Sequence, residues 1–182
     1  DRWERFWFAA KSYHRLRLAR ILLAAVATIY SIGFIANVGA WFGPEGLLAS
    51  ERVGRLVVAS DSTEIASWRF SLLYWIDSIA GLRIFAGAVS IAGVAVMFGF
   101  GGRPVAAALW LGVVSLANAS WIVAPPGMIP LILGIGTLVI GGTGTRRDES
   151  GRDRPDSLCG LAVRLNQTYV VLFLAAYALS CL

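Results

Sequence analysis

The run ILLAAVATIYSIGFIANVGAWF, residues Ile21–Phe42, decides the fold. No Asp, Glu, Lys, Arg or His interrupts it. A bilayer core is about 30 Å thick, so a helix crosses it with roughly 20 mostly apolar residues. Working outward from this run, Leu82–Phe100 and Val105–Val123 meet the same length, Met128–Ile140 is shorter, and Val170–Leu182 runs to the end of the chain. The pattern predicts an all-α fold: a polytopic transmembrane helix bundle of five spans with interfacial amphipathic helices at its edges.

Composition agrees. Hydrophobic residues make up 57% of the 182 and charged ones only 15%, too apolar a balance for an average soluble domain. The net charge of +5 invites a nucleic-acid reading, but a membrane protein needs cytoplasmic arginines for its orientation, and no nucleic-acid partner is expected. Residues 1–182 read as a single helical domain with the lipid bilayer as its surroundings.

Basic residues set the orientation. Six precede the first run, Arg103 lies in the second loop and four lie between Arg146 and Arg154, eleven in all. The other side carries four, Arg52, Arg55, Arg69 and Arg83, mixed with acids. The N-terminus is therefore expected in the cytoplasm and the C-terminus outside. The fourth run opens on Pro125, Pro126 and Pro130, where helix starts tolerate proline, and closes on Gly141, Gly142 and Gly144. Were it a re-entrant hairpin, Arg146–Arg154 would fall outside against the charge bias, so spanning is the expectation.

Three segments lie between or before the runs. Residues 1–17 read as a cytoplasmic interfacial helix, with Trp3, Phe6 and Trp7 at helical spacing beside basic residues, an aromatic anchor or interface surface. They contain no short apolar core with a cleavage site, and Asp1 stands where an initiator Met would, so preceding residues are expected. Residues 43–81 form the outer loop. Within it Ile65, Trp68, Leu72, Trp75, Ile76 and Ile79 share one helical face, with Ser67, Arg69, Ser71, Tyr74, Asp77 and Ser78 opposite. This predicts an interfacial helix over Asp61–Ala80 that covers the outer ends of the spans. Residues 143–160 are expected as a charged cytoplasmic loop.

Polar groups inside spans are costly, and mark chemistry when present. Thr28, Ser31, Asn37, Ser90, Ser115 and Asn118 are the inventory, none of them titratable, so they read as helix-packing groups. Ala86, Ser90 and Gly93 form a small-residue stripe suited to close helix contact. Arg69, Asp77, Arg83 and Asn118 are a candidate outer polar cluster. His14 has no partner ligand nearby, so no metal site is expected. Cys159 and Cys181 fall on opposite sides, and Gly99, Gly101 and Gly102 read as a tight interhelical turn. No catalytic residue is assigned and no cofactor is predicted, with bound lipid or quinone between spans compatible with either functional class below.

A family resemblance follows from motif order. Arg20-Ile21-Leu22-Leu23, then Gly43-Pro44-Glu45-Gly46-Leu47-Leu48, then Leu82-Arg83-Ile84-Phe85-Ala86-Gly87 resemble the HTTM family, membrane proteins related to the vitamin K-dependent gamma-carboxylases. The likeness runs on through Gly99–Pro104, Ser115–Asn118 and Arg164–Tyr169. DoxX-like four-helix membrane proteins share the Arg-Ile and glycine-turn features and stay as an alternative. The resemblance implies a further span and a lumenal domain beyond this chain. It also implies a test: the carboxylase base is a Lys three residues before the Trp of a Ser-Trp pair, with a His three residues after it. Around Ser120-Trp121 those positions hold Asn118 and Ala124, and an amide cannot serve as a base. Two classes remain. One is an accessory or structural subunit packing against other membrane protein subunits without catalysis of its own. The other is a membrane-embedded enzyme or small-molecule carrier.

Overall fold

A computed structural model describes residues 13–43, 46, 71–76, 78–119, 128–141 and 157–180. Among the described residues there are five α-helices, one 3-10 helix and no strand. The α-helices are α1 (Tyr13–Phe42), α2 (Ile79–Phe98), α3 (Gly102–Ala119), α4 (Met128–Gly141) and α5 (Ser157–Ser180); the 3-10 helix is Leu72–Trp75. Two helical segments, Leu16–Phe42 and Ile79–Phe98, are long and apolar enough to cross a membrane, and α4 is a shorter apolar helix.

Each helix follows the apolar run that predicts it, but several start earlier. Residues 13–17 belong to α1, and α5 begins at Ser157, inside the stretch expected as loop. Likewise 79–81 are already α2. The physical reason is that hydropathy ends where charge begins, whereas helix propensity does not. Arg, Leu and Gln are all good helix formers, so Arg15, Arg17 and Arg164 continue their helices. A separate interfacial helix over 1–17 is thus corrected at its C-terminal end. Its residues 1–12, with Trp3, Phe6 and Trp7, lie outside the described residues.

The core runs along one face of α1. Leu16, Arg20, Ala24, Ala27, Ser31, Phe34 and Val38 are all buried, and their steps of three or four residues keep one stripe inward. Near the end of α1, Phe34 packs edge-on to Trp41 at 5.6 Å and tilted to Phe42 at 5.7 Å. Small residues let the helices close on this stripe. A Cβ at Gly93 of α2 would collide with Thr28 Oγ1 of α1, one at Gly112 of α3 with Val89 of α2, and one at Gly134 of α4 with Leu23 Cδ2 of α1 at 2.8 Å. With Gly93 level with Ala24 and Thr28, only an antiparallel α2 covers the buried Phe34 and Val38.

The turn from α2 to α3 is set by glycine. Gly99 is left-handed at φ 84°, a conformation that costs a residue with a Cβ but not glycine. Gly99 N–H donates to Val96 O at 3.0 Å and Phe100 N–H to Ala95 O at 2.8 Å, the paired closure that satisfies the last carbonyls of a helix. Gly101 and Gly102 also have positive φ, so α3 starts at once and returns along α2. The tight-turn reading of these glycines holds.

Candidate functional site

The polar side chains within the helices satisfy themselves first. Thr28 Oγ1 donates to Ala24 O, Ser31 Oγ to Ala27 O and Ser90 Oγ to Ala86 O, each at 2.8–2.9 Å and each one turn back on its own helix. Asn37 Nδ2 does the same to Gly33 O at 2.8 Å. Such back-bonding removes the cost of a hydroxyl in apolar surroundings without a partner helix. Helix-to-helix polar bonds were the expectation for this set; Ser115 alone among these five makes a cross-element one.

Ser115 joins α3 to the 3-10 turn Leu72–Trp75. Its Oγ donates to Leu111 O at 2.8 Å and accepts from Leu72 N–H at 3.3 Å, while Ser71 Oγ donates to Ser115 O at 2.7 Å. Ser71 Oγ also accepts from Leu73 N–H, capping the 3-10 turn. Ile76 and Ile79 pack against the core and Ser78 is exposed, as the expected faces require, but two residues are exchanged. Ser71, placed on the polar side, is 3% exposed, and Trp75, placed on the apolar side, is 76% exposed. Ser71 and Ile76 are extended on either side of Leu72–Trp75 and Ser78 is extended before α2, so 71–76 is a docked 3-10 turn rather than part of a continuous α-helix. Its pairing with Ser115 outweighs the periodicity, because a buried hydroxyl must be bonded. Residues 61–70 lie outside the described residues.

A second polar link joins α4 and α5. Asn166 Nδ2 donates to Thr137 Oγ1 at 2.6 Å, and Thr137 Oγ1 donates to Gly134 O at 2.7 Å. Neither residue is singled out by sequence reasoning as a contact, although an Asn and a Thr in apolar helices are the available signal. On the other side of α4, Gly136 lies under the indole of Trp110, whose Nε1 is buried with no hydrogen-bond partner. Tyr169 Oη is buried in the same state. These groups are distributed along separate interfaces.

The predicted packing stripe sits where close contact occurs: Ala86 and Gly93 are buried, Ser90 is half-buried, and Gly93 lies against α1. The predicted polar cluster is not assembled by the described residues. Arg83 is exposed on the second turn of α2 and Asn118 is half-buried in the last turn of α3, while Arg69 and Asp77 lie outside the described residues, as does Ala124. Among the described residues no three His, Cys, Asp or Glu side chains form a metal-binding group.

Fold and polar geometry together define an all-α protein with two helices capable of crossing a membrane by length and composition. Comparison with protein families, curated proteins and solved structures gave no match.

Proposed function

We propose that this chain is a multi-pass integral membrane protein, N-terminus in the cytoplasm, that serves as a helix-packing subunit of a larger membrane assembly. The observation that carries the reading is the outward face of α1. Over its first half this face is bulky, with Leu22, Val26 and Ile29 all more than half exposed. One turn on it becomes Gly33, Ala36, Asn37 and Ala40, all exposed, and a Cβ on Gly33 would meet nothing within 4 Å. Lipid tails favour the first half. The second half suits a helix of another membrane protein, because small residues admit close backbone approach and an amide can bond across the contact. Asn37 uses one N–H on Gly33 and keeps further donor and acceptor capacity.

The HTTM-like motif order supports a membrane role. It supports carboxylase chemistry poorly, since Asn118 and Ala124 stand at the positions of the base and its His. A membrane enzyme or small-molecule carrier is accordingly the weaker reading.

Mild detergent extraction from native membranes, followed by mass spectrometry of co-purifying proteins, tests the proposal. A reproducible membrane partner is expected with the unaltered chain and is lost with Gly33→Leu or Asn37→Leu at equal expression. A monodisperse chain that travels alone and turns over a small molecule, with turnover lost in Asn118→Ala or Arg83→Ala, would overturn it.

A further inference from the structure

We infer that the end of the bundle at which α1 begins binds the headgroups of anionic phospholipids. The helix register brings arginines to one height there. Ala24 and Thr28 lie level with Gly93, and Val89 with Gly112. Counting from these contacts at 1.5 Å per residue places Arg17, Arg20 and Arg103 within about 6 Å in height of the α2–α3 turn. Arg17 and Arg103 are exposed, and Arg20 is 4% exposed on the core stripe of α1. The cluster is therefore anchored at its inner edge and open at its outer one.

Charge does not cancel at this end. No Asp or Glu occurs among the described residues. Segment 142–156 carries four arginines and four acids, and segment 1–12 carries three basic and two acidic residues. The first of these segments is neutral by count and the second net positive, so whichever pairs form, adding the helix arginines leaves this end net positive.

The apolar surroundings select a lipid over a free anion. Phe98 and Phe100 flank the turn at 66% and 68% exposure, and Leu18 is exposed beside Arg17. A headgroup phosphate on the guanidinium groups leaves its acyl chains along these side chains, whereas inorganic phosphate gains nothing from them. Guanidinium groups bond phosphate in a forked geometry that ammonium groups lack, and each basic residue near an anionic surface contributes attraction that salt screens.

This inference rests on the membrane reading above, and the test separates the two. The full chain is reconstituted into phosphatidylcholine vesicles containing equal mole fractions of brominated phosphatidylglycerol or brominated phosphatidylcholine, and quenching of its tryptophan fluorescence is compared. Stronger quenching by the anionic lipid is expected, with the preference falling on the order of fivefold per arginine removed in Arg17→Gln and Arg103→Gln. Arg83→Gln, at the opposite end of α2, leaves the preference in place. A chain that enters both vesicles with no preference, or a preference unchanged in the Arg17→Gln, Arg103→Gln double variant, overturns this inference alone. Loss of the preference to inorganic phosphate, beyond that caused by chloride at equal ionic strength, overturns it in favour of a free anion. A chain that enters neither vesicle overturns the membrane reading itself.

Discussion

Thr137 is 8% exposed, and its hydroxyl both accepts from Asn166 and donates to Gly134 O. Replacing it with Val keeps the shape and removes the bond between α4 and α5. Thr137→Val should lower stability by about 0.6 kcal/mol, the average for such bonds between membrane helices, and by no more than about 1.7. A double-mutant cycle with Asn166→Leu, read by reversible unfolding in mixed micelles, checks it; zero coupling would show that the two side chains do not meet. Gly93 is the other sensitive position. Its missing Cβ would collide with Thr28 Oγ1, and Thr28, a β-branched residue stiff at χ1, would have to give up its bond to Ala24 O to move aside. Gly93→Val is expected to cost about 1–3 kcal/mol as overpacking, whereas Gly87, with nothing within 4 Å of its absent Cβ, should accept Ala with little loss. Equal effects at the two glycines would refute the assigned α1–α2 contact.

At the scale of elements, apolar runs and helices correspond because backbone polar groups must bond internally wherever water is excluded. That rule was readable in the sequence for α4, whose expected run Met128–Ile140 and observed span Met128–Gly141 differ by one residue. It was less readable at Arg15–Arg20 and Ser157–Tyr169, where polar residues continue a helix. The 3-10 turn was not readable at all. Six apolar positions at helical spacing suggested a long amphipathic helix, but Ser71 and Ser115, which are 44 residues apart, decide how Leu72–Trp75 sits. Ser115→Ala leaves Ser71 its bond to the Ser115 carbonyl and removes the acceptor of Leu72 N–H. Faster hydrogen exchange at Leu72 and Leu73, with α3 unchanged, is the expected result. Unchanged exchange there would mean that the turn is held by its apolar contacts alone.

For the whole molecule, the arginine distribution and the proposed orientation yield a labelling prediction. A Cys introduced at Gly151, in a chain with Cys159 and Cys181 replaced by Ser, should react with impermeant reagent only after the membrane is opened from the cytoplasmic side. Labelling from outside would sink the five-span arrangement. A Cys at Ser78, before α2, should show the opposite accessibility.

What the chain determined by itself was the helical class and the approximate place of each helix, since both depend on local hydropathy, propensity and the glycine-rich turn at Gly99–Gly102. The candidate packing glycine, Gly93, was also visible locally as part of a small-residue stripe. Tertiary structure alone decided which polar groups reach another element. Ser115 meets Ser71 and Thr137 meets Asn166, while Thr28, Ser31 and Ser90 turn back on their own helices. The reason is that a hydroxyl one turn from a carbonyl always has a local partner, and only the packing of a second element at that height offers another. The change along α1 from bulky to small exposed residues likewise acquires meaning only once burial separates its outward face from its core stripe.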